Sequence, residues 1–154
     1  MASLADNRNA QIFGPCFAMG LLYVIMWFYM YFKRLPFILN GMKTVFKGMK
    51  PSDITAEVLA RHSPPDVLAA SDNLKNLFEV PPLFLIFALF LFVTGQVDAV
   101  YVTGSWFYVA LRYVHSLVHC TINTQPLRFY VYCASTLVLW AMGFRAAFAY
   151  TVLT

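Results

Sequence analysis

Residues 76–95 read NLFEVPPLFLIFALFLFVTG, and this stretch decides the fold class of the chain. From residue 77 onward it holds one charged side chain, Glu79, which is followed by the prolines Pro81 and Pro82. A helix needs about 20 predominantly apolar residues to cross the hydrocarbon core of a bilayer. The stretch therefore predicts a transmembrane helix that bears a carboxylate near one end and is kinked at the two prolines.

Three more apolar stretches of similar length accompany it. We place the four spans at approximately residues 12–32, 77–95, 100–120 and 127–153. Of the 154 residues, 60% are hydrophobic and 12% are charged, whereas about a quarter of a soluble domain is charged. The first stretch is longer than a signal-peptide core and lacks a small-residue cleavage site, so we interpret it as a retained helix. The chain is predicted to be an integral membrane protein with one domain over residues 1–154.

The connections between the spans predict the topology. Short connections near residues 95–100 and 121–126 make sequential helices antiparallel neighbours. The predicted fold is therefore an all-α, up-down-up-down bundle of four transmembrane helices. The first connection is longer, with a loop at residues 35–63 and a helical extension of the second span at residues 65–76. Within the loop, Ser52 is expected to cap a short helix from Asp53 to about Arg61. Residues 63–66 (SPPD) are a strong start for the extension.

Basic residues are concentrated around this first connection. Seven of the 11 lie in or beside it: Lys33, Arg34, Lys43, Lys47, Lys50, Arg61 and Lys75. Because cytoplasmic connections carry such an excess, we expect residues 35–63 in the cytoplasm and both termini on the opposite side. Asp53, Glu57 and Asp66 dilute the charge, so contact with anionic membrane lipids is expected and nucleic-acid binding is not.

Ionisable side chains within the spans are the candidates for function, because a charge in the bilayer is costly and usually faces a bundle interior or a wet cavity. Two polar sets recur with helical spacing: Asp72, Lys75, Asn76 and Glu79 on the second helix, and Tyr108, Arg112, His115 and His119 on the third. Each set shares one helix face at about 100° per residue. Arg128 begins the fourth helix at the same cytoplasmic level. We expect these side chains to converge at one end of the bundle.

Two simpler interpretations stay open. Glu79 and Arg112 could form a buried pair that specifies helix register without binding a ligand. His115 and His119 have the spacing of two metal ligands, but no third ligand with suitable spacing follows, so no metal site is predicted.

The three cysteines follow no disulfide or metal pattern, and we interpret them as small buried apolar residues.

Three segments together are similar to the MAPEG family, the membrane-associated proteins of eicosanoid and glutathione metabolism. They are residues 76–79 (NLFE) followed by Pro82, residues 112–115 (RYVH) and residues 126–128 (PLR). The resemblance extends over approximately residues 10–150. It implies a four-helix protomer, a homotrimer, and an active site between neighbouring protomers near the cytoplasmic face, where glutathione is bound in a folded shape. We expect a bacterial-type member, located in an inner membrane.

The resemblance also implies roles for individual residues. Arg128 matches the arginine that stabilises the thiolate in catalytic members, so it is the expected catalytic residue. The residues expected to bind glutathione are Lys75, Asn76, Glu79, Arg112, His115 and His119, with Glu79 holding the amine. Two positions differ from the family pattern: Asp72 stands where a carboxylate-binding arginine is usual, and His119 stands where a tyrosine is usual.

Two functions of different classes follow from this comparison. The first is a membrane enzyme that conjugates or reduces a lipophilic small molecule with a thiol cosubstrate, expected to be glutathione. The alternative is a non-catalytic protein that binds lipids or a partner on the same scaffold. Arg128 favours the enzyme, whereas Asp72 and His119 favour the alternative.

Overall fold

The computed structural model describes residues 8–153, and residues 1–7 and 154 of the predicted single domain lie outside the described part. A short 3₁₀ turn at Arg8–Ile12 leads into the first helix. The described chain is helical, as predicted, and its helices are α1 (Phe13–Gly41), α2 (Ala56–His62), α3 (Pro65–Leu77), α4 (Pro81–Val93), α5 (Ala99–Cys120) and α6 (Gln125–Leu153).

Helix α1 is longer than the predicted span. It has 29 residues and continues through Pro36 to Gly41, so the expected end at residue 32 is wrong. Pro36 lacks only the N–H that would have bonded one turn earlier in the helix. Helix α1 packs against α3, and Lys33, one residue past the predicted end, reaches across to Asp66 at 3.0 Å. This contact supports the helix at the point where local signals predicted the span to end.

The connection between α1 and α3 is folded back on the end of α1. Phe46 is buried, and its ring lies where a side chain on Gly41 would be, 2.7 Å from the position of a Cβ atom. The cap of α2 is Thr55, whose side chain accepts a hydrogen bond from the Val58 amide at 3.3 Å. The prediction that Ser52 caps this helix is wrong, because Pro51–Asp53 form a separate 3₁₀ turn.

The second span is divided at the two prolines, more sharply than the predicted kink. Helix α3 ends at Leu77 and α4 begins at Pro81. Since Pro81 and Pro82 have no N–H, the last carbonyl groups of α3 need other donors. The Tyr23 hydroxyl donates to the Leu77 carbonyl oxygen, and Arg112 Nη2 donates to the Asn76 carbonyl oxygen at 3.1 Å. Side chains of α1 and α5 thus stabilise the break.

Helices α5 and α6 form the most extensive helix pair, and α1 packs against both α3 and α5. Asp98 caps α5 by accepting a hydrogen bond from the Tyr101 amide at 3.0 Å. The core between the helices is apolar and includes Met19, Leu22, Met26, Phe84, Ala88, Leu91, Tyr108, Val109, Leu139, Met142 and Ala146. The outward faces are also apolar and exposed, as in Phe17, Phe32, Val93, Phe144 and Phe148.

Three helical segments are long and apolar enough to cross a membrane: Asn9–Gly41, Pro65–Val93 and Gln125–Val152. Together with the exposed apolar surface, they indicate a multi-pass integral membrane protein. The predicted third span, at residues 100–120, corresponds to α5, which has 22 residues but is not among these three segments. Its buried polar side chains lower its hydropathy: Ser105, Arg112, His115, Ser116 and His119.

Candidate functional site

A polar cavity of about 180 Å³ lies at the end of the bundle where α5 ends and α6 begins. It is lined by Asn76 from α3, His115 from α5, and Gln125, Arg128, Phe129 and Tyr132 from α6. None of these six residues is acidic. The α3–α4 break opens beside this end because Asn76 is the penultimate residue of α3. Three elements therefore contribute polar groups to one cavity.

Arg112 lies beneath this cavity and is completely buried. Its Nη2 donates to the Asn76 carbonyl oxygen at 3.1 Å, and its guanidinium carbon lies 5.5 Å from the centre of the Tyr132 ring. Nε and Nη1 are buried and have no hydrogen-bond partner within residues 8–153. A buried guanidinium with unpaired donors is costly, so negative charge in the adjoining cavity would be favourable here.

The two histidines are also buried and only partly satisfied. His115 Nδ1 lies 3.3 Å from the Arg128 carbonyl oxygen, which assigns the proton to Nδ1 because a carbonyl oxygen only accepts. His115 Nε2 and His119 Nδ1 have no partner in the described part of the chain. The two ring centres are 5.6 Å apart. His115 reaches the cavity wall, whereas His119 is packed behind it.

Arg128 is positioned by the turn that connects α5 and α6. Its Nη1 donates to Asn123 Oδ1 at 2.6 Å. Asn123 has a φ of 52°, in the left-handed region, which asparagine adopts more readily than most residues. The Arg128 Nε is buried and lacks a partner among the described residues. The hydrogen bond to Asn123 thus fixes Nη1 of this guanidinium, and Nε keeps a donor without a partner in the described chain.

Lys75 and Glu79 do not line this cavity and lie on a different face of the chain. They line a groove of about 480 Å³ with Arg34 and with the apolar side chains of Met30, Leu74 and Phe78. Both are exposed, and Lys75 forms an ion pair with Asp72 at 2.9 Å.

The buried pair considered for Glu79 and Arg112 is absent within residues 8–153, where no ion pair joins them. The physical reason is the end of α3 at Leu77. A spacing of about 100° per residue places side chains on one face only while the helix continues. Glu79 lies beyond that end, so it leaves the stripe that Asp72 and Asn76 begin.

The sequence analysis missed two contributors to this region. Asn73 is completely buried; its amide donates to Cys120 Sγ at 3.5 Å, and its Oδ1 accepts from Ser116 Oγ at 3.2 Å. Asn73 lies four residues before Leu77, so the two share one face of the helix. This spacing could have indicated that Asn73 is buried. Tyr132 lines the cavity one helical turn after Arg128. The i, i+4 spacing of these two residues could have indicated that they share one helix face.

The described histidine, cysteine and acidic side chains form no group of three or more that could hold a metal ion. What the cavity wall offers instead is one guanidinium, one imidazole, two amides and a phenol ring, without a carboxylate. The guanidinium of Arg112 lies against two of the lining residues, Asn76 and Tyr132. Such a set can bind a carboxylate and can favour the ionised form of a thiol placed beside it.

Comparison with known proteins gives one match. A sequence model of the MAPEG family matches residues 12–148. No curated protein matches the chain, and no solved structure matches it.

Proposed function

The chain belongs to the MAPEG family, and on that premise we propose that it is a membrane enzyme that uses glutathione to conjugate or reduce a lipophilic substrate. The observation that carries the proposal is Arg112, which is completely buried and has two unpartnered nitrogens in the described chain. An unpaired buried ion costs several kcal/mol. A ligand carboxylate in the adjoining cavity would offset part of that cost through its charge, and glutathione carries two carboxylates.

Arg128 is proposed to activate the thiol. A free thiol has a pKa of about 8.5 and is mostly protonated at neutral pH, and a neighbouring guanidinium lowers that pKa. In conjugation to an aryl halide, the thiol proton leaves to solvent and the thiolate sulfur bonds to the ring carbon. The carbon–halogen bond then breaks and halide departs. The unpartnered Nε of Arg128 supports a place beside the sulfur.

The small size of the cavity supports a site that a neighbouring copy of the chain completes, and we propose that the assembly is a homotrimer. A volume of about 180 Å³ is below the ~300–1,000 Å³ typical of small-molecule sites. In a ring of three, one surface patch meets a different patch of the neighbour. We propose that the groove with Arg34, Lys75 and Glu79 completes the cavity of the next protomer. The residues expected to bind glutathione would then meet across the interface between two protomers, although they lie apart within one protomer.

In the membrane, we propose α5 as an additional span, because its 22 residues rise about 33 Å and its polar face is turned into the bundle. The basic connection would lie in the cytoplasm of a bacterium and both termini outside the inner membrane. Labelling of a cysteine placed at Lys47 from outside intact cells would reverse this orientation.

The test of function is turnover of a chromogenic aryl halide with glutathione by the purified protein. Assembly of shared sites is tested by co-expressing Arg128→Ala with Glu79→Ala. If each site takes Arg128 from one protomer and Glu79 from its neighbour, random mixing restores about a quarter of the sites. Each variant alone should have low turnover. A mixture no more active than the variants alone would contradict sites shared between protomers.

The second candidate is a non-catalytic protein that binds lipids or a partner. The ion pair between Lys75 and Asp72 at 2.9 Å favours it, because Asp72 occupies one cation that would otherwise receive a glutathione carboxylate. Absence of turnover in the wild type, together with no thermal stabilisation by millimolar glutathione, would establish this alternative over the enzyme.

A further inference from the structure

A second cavity, of about 580 Å³, lies at the opposite end of the bundle, beside the α4–α5 turn and the last turns of α6. The polar part of its wall consists of Gln96, Asp98, Tyr101 and Arg145, and the apolar part includes Phe148 and Val152. Arg145 lies 17 residues after Arg128 in α6, so this cavity is about 25 Å along the helix from the site described above. It takes no part in the proposed reaction.

The cavity carries one positive and one negative group side by side. Arg145 Nη2 lies 2.5 Å from Asp98 Oδ2, and Nη1 lies 3.2 Å from Oδ1. The side chains are 43% and 42% exposed, respectively, so each keeps an open side. The hydrogen bond from Arg145 holds the pKa of Asp98 below its ordinary value. Both groups are therefore charged at neutral pH.

A third polar group has no partner. Gln96 lines the same cavity, and its Oε1 is buried without a hydrogen-bond donor from the described residues. A buried acceptor left unpaired costs about 1–3 kcal/mol. Together with the Asp98 carboxylate, it makes an acceptor pair next to a guanidinium donor.

We propose that this cavity binds the head group of a zwitterionic phospholipid with a primary ammonium, of the phosphoethanolamine type. Arg145 contacts the phosphate, while Asp98 and Gln96 accept hydrogen bonds from the ammonium. A purely anionic head group would meet the Asp98 carboxylate, and a purely cationic ligand would meet the Arg145 guanidinium. The exposed side chains of Phe148 and Val152 continue the cavity into an apolar wall, which suits acyl chains and disfavours a small soluble zwitterion.

The test is native mass spectrometry of the delipidated full-length protein in detergent. Phosphatidylethanolamine, phosphatidylglycerol and phosphatidylcholine with identical acyl chains are added in equal amounts. Wild type should retain phosphatidylethanolamine over each competitor by about tenfold, the value of one charge-assisted hydrogen bond. Phosphatidylcholine is informative because its trimethylammonium has no N–H to donate to Gln96 or Asp98.

Two variants and one control complete the experiment. Gln96→Leu leaves the ion pair intact and should lower the preference severalfold, and Asp98→Asn should lower it to near unity. If Asp98→Asn does not fold, Gln96→Leu decides alone. Glu57→Gln, which breaks an exposed ion pair with Arg61 at the other end of the protein, should keep wild-type selectivity. Equal retention of the three lipids by wild type overturns the proposal, and so does unchanged selectivity in Gln96→Leu. Either result would leave Asp98 and Arg145 as a structural ion pair between the start of α5 and α6.

Discussion

Arg112 donates from Nη2 to the backbone carbonyl oxygen of Asn76 at 3.1 Å, joining the middle of α5 to the end of α3. That carbonyl is available because α3 stops one residue later, ahead of Pro81. A cation at a helix C-terminus is favourable because the last carbonyl groups carry partial negative charge. The contact uses one of the guanidinium nitrogens and leaves Nε and Nη1 without partners in the described chain.

Arg112→Met separates a binding role from a structural one. The substitution removes the two unpartnered buried nitrogens and keeps an unbranched side chain of similar length. The substitution also removes the hydrogen bond to the Asn76 carbonyl oxygen, which offsets the gain, so stability without ligand should change by less than about 1–3 kcal/mol. Glutathione at 100-fold its Kd should stabilise the wild type by ~2.7 kcal/mol, and the variant should lose this shift. Thermal melting in detergent measures both. A variant that melts lower and still responds to glutathione would show that Arg112 is a structural residue.

Arg128→Ala should lower turnover of an aryl halide with glutathione by about 10²–10³, the usual cost of losing one preorganised electrostatic contact. The melting temperature should change little, because the side chain makes one hydrogen bond, to Asn123 in an exposed turn. Arg61→Ala is the matched control, since Arg61 is exposed and forms an ion pair with its helix neighbour Glu57. Wild-type turnover in Arg128→Ala would mean that the family mechanism does not transfer to this chain.

Asn73→Ala should destabilise the protein by about 1–3 kcal/mol, because Asn73 is completely buried and joins Ser116 to Cys120. The exposed Asn40→Ala is the control, and its effect should stay within about 0.5 kcal/mol. Chemical or thermal unfolding in detergent measures the difference. Equal stabilities of the two variants would remove the role assigned to the Asn73 network.

Because of Asp98, the free energy of unfolding should depend on pH in the acid range. The pKa of Asp98 is below the ordinary value because of the hydrogen bond from Arg145. The stabilisation is therefore complete above the unfolded pKa of about 3.9 and is lost as pH falls through the lower folded pKa. Both side chains are partly exposed, so the ion pair is worth only about 0.2–1 kcal/mol.

Two substitutions separate the ion pair from the helix cap at this residue. Asp98→Asn removes the charge but keeps a good N-cap for α5, so it should lose the ion-pair contribution alone. Asp98→Ala also removes the cap and should lose a further ~0.5–2 kcal/mol. Melting curves between about pH 2 and 5, which include the interval below the unfolded pKa, should show a smaller acid dependence in both variants than in wild type. An unchanged acid dependence would exclude Asp98 as its source.

Some features of the site were predictable because they depend on uninterrupted helices. His115 and Arg112 lie three residues apart within α5, and a fixed helical period places both on its inward face. Arg128 follows a short connection, which limits how far it can lie from the end of α5. The sequence predicted that both polar sets and Arg128 converge at one end of the bundle. Asn76, His115 and Arg128 line one cavity there, whereas Lys75 and Glu79 line a different groove.

The sequence by itself determined the membrane class and an irregularity at Pro81, which was predicted as a kink, because hydropathy and the missing proline N–H are properties of individual residues. That the helix divides there into α3 and α4 was shown only by the structure. Only the tertiary structure decided that Glu79 and Lys75 face a groove apart from Arg112, and that Thr55 rather than Ser52 caps α2. It also decided that α1 continues past Lys33. The physical reason is shared: where a helix ends, and which way a side chain turns after a break, depends on packing against neighbouring helices, which no local pattern contains.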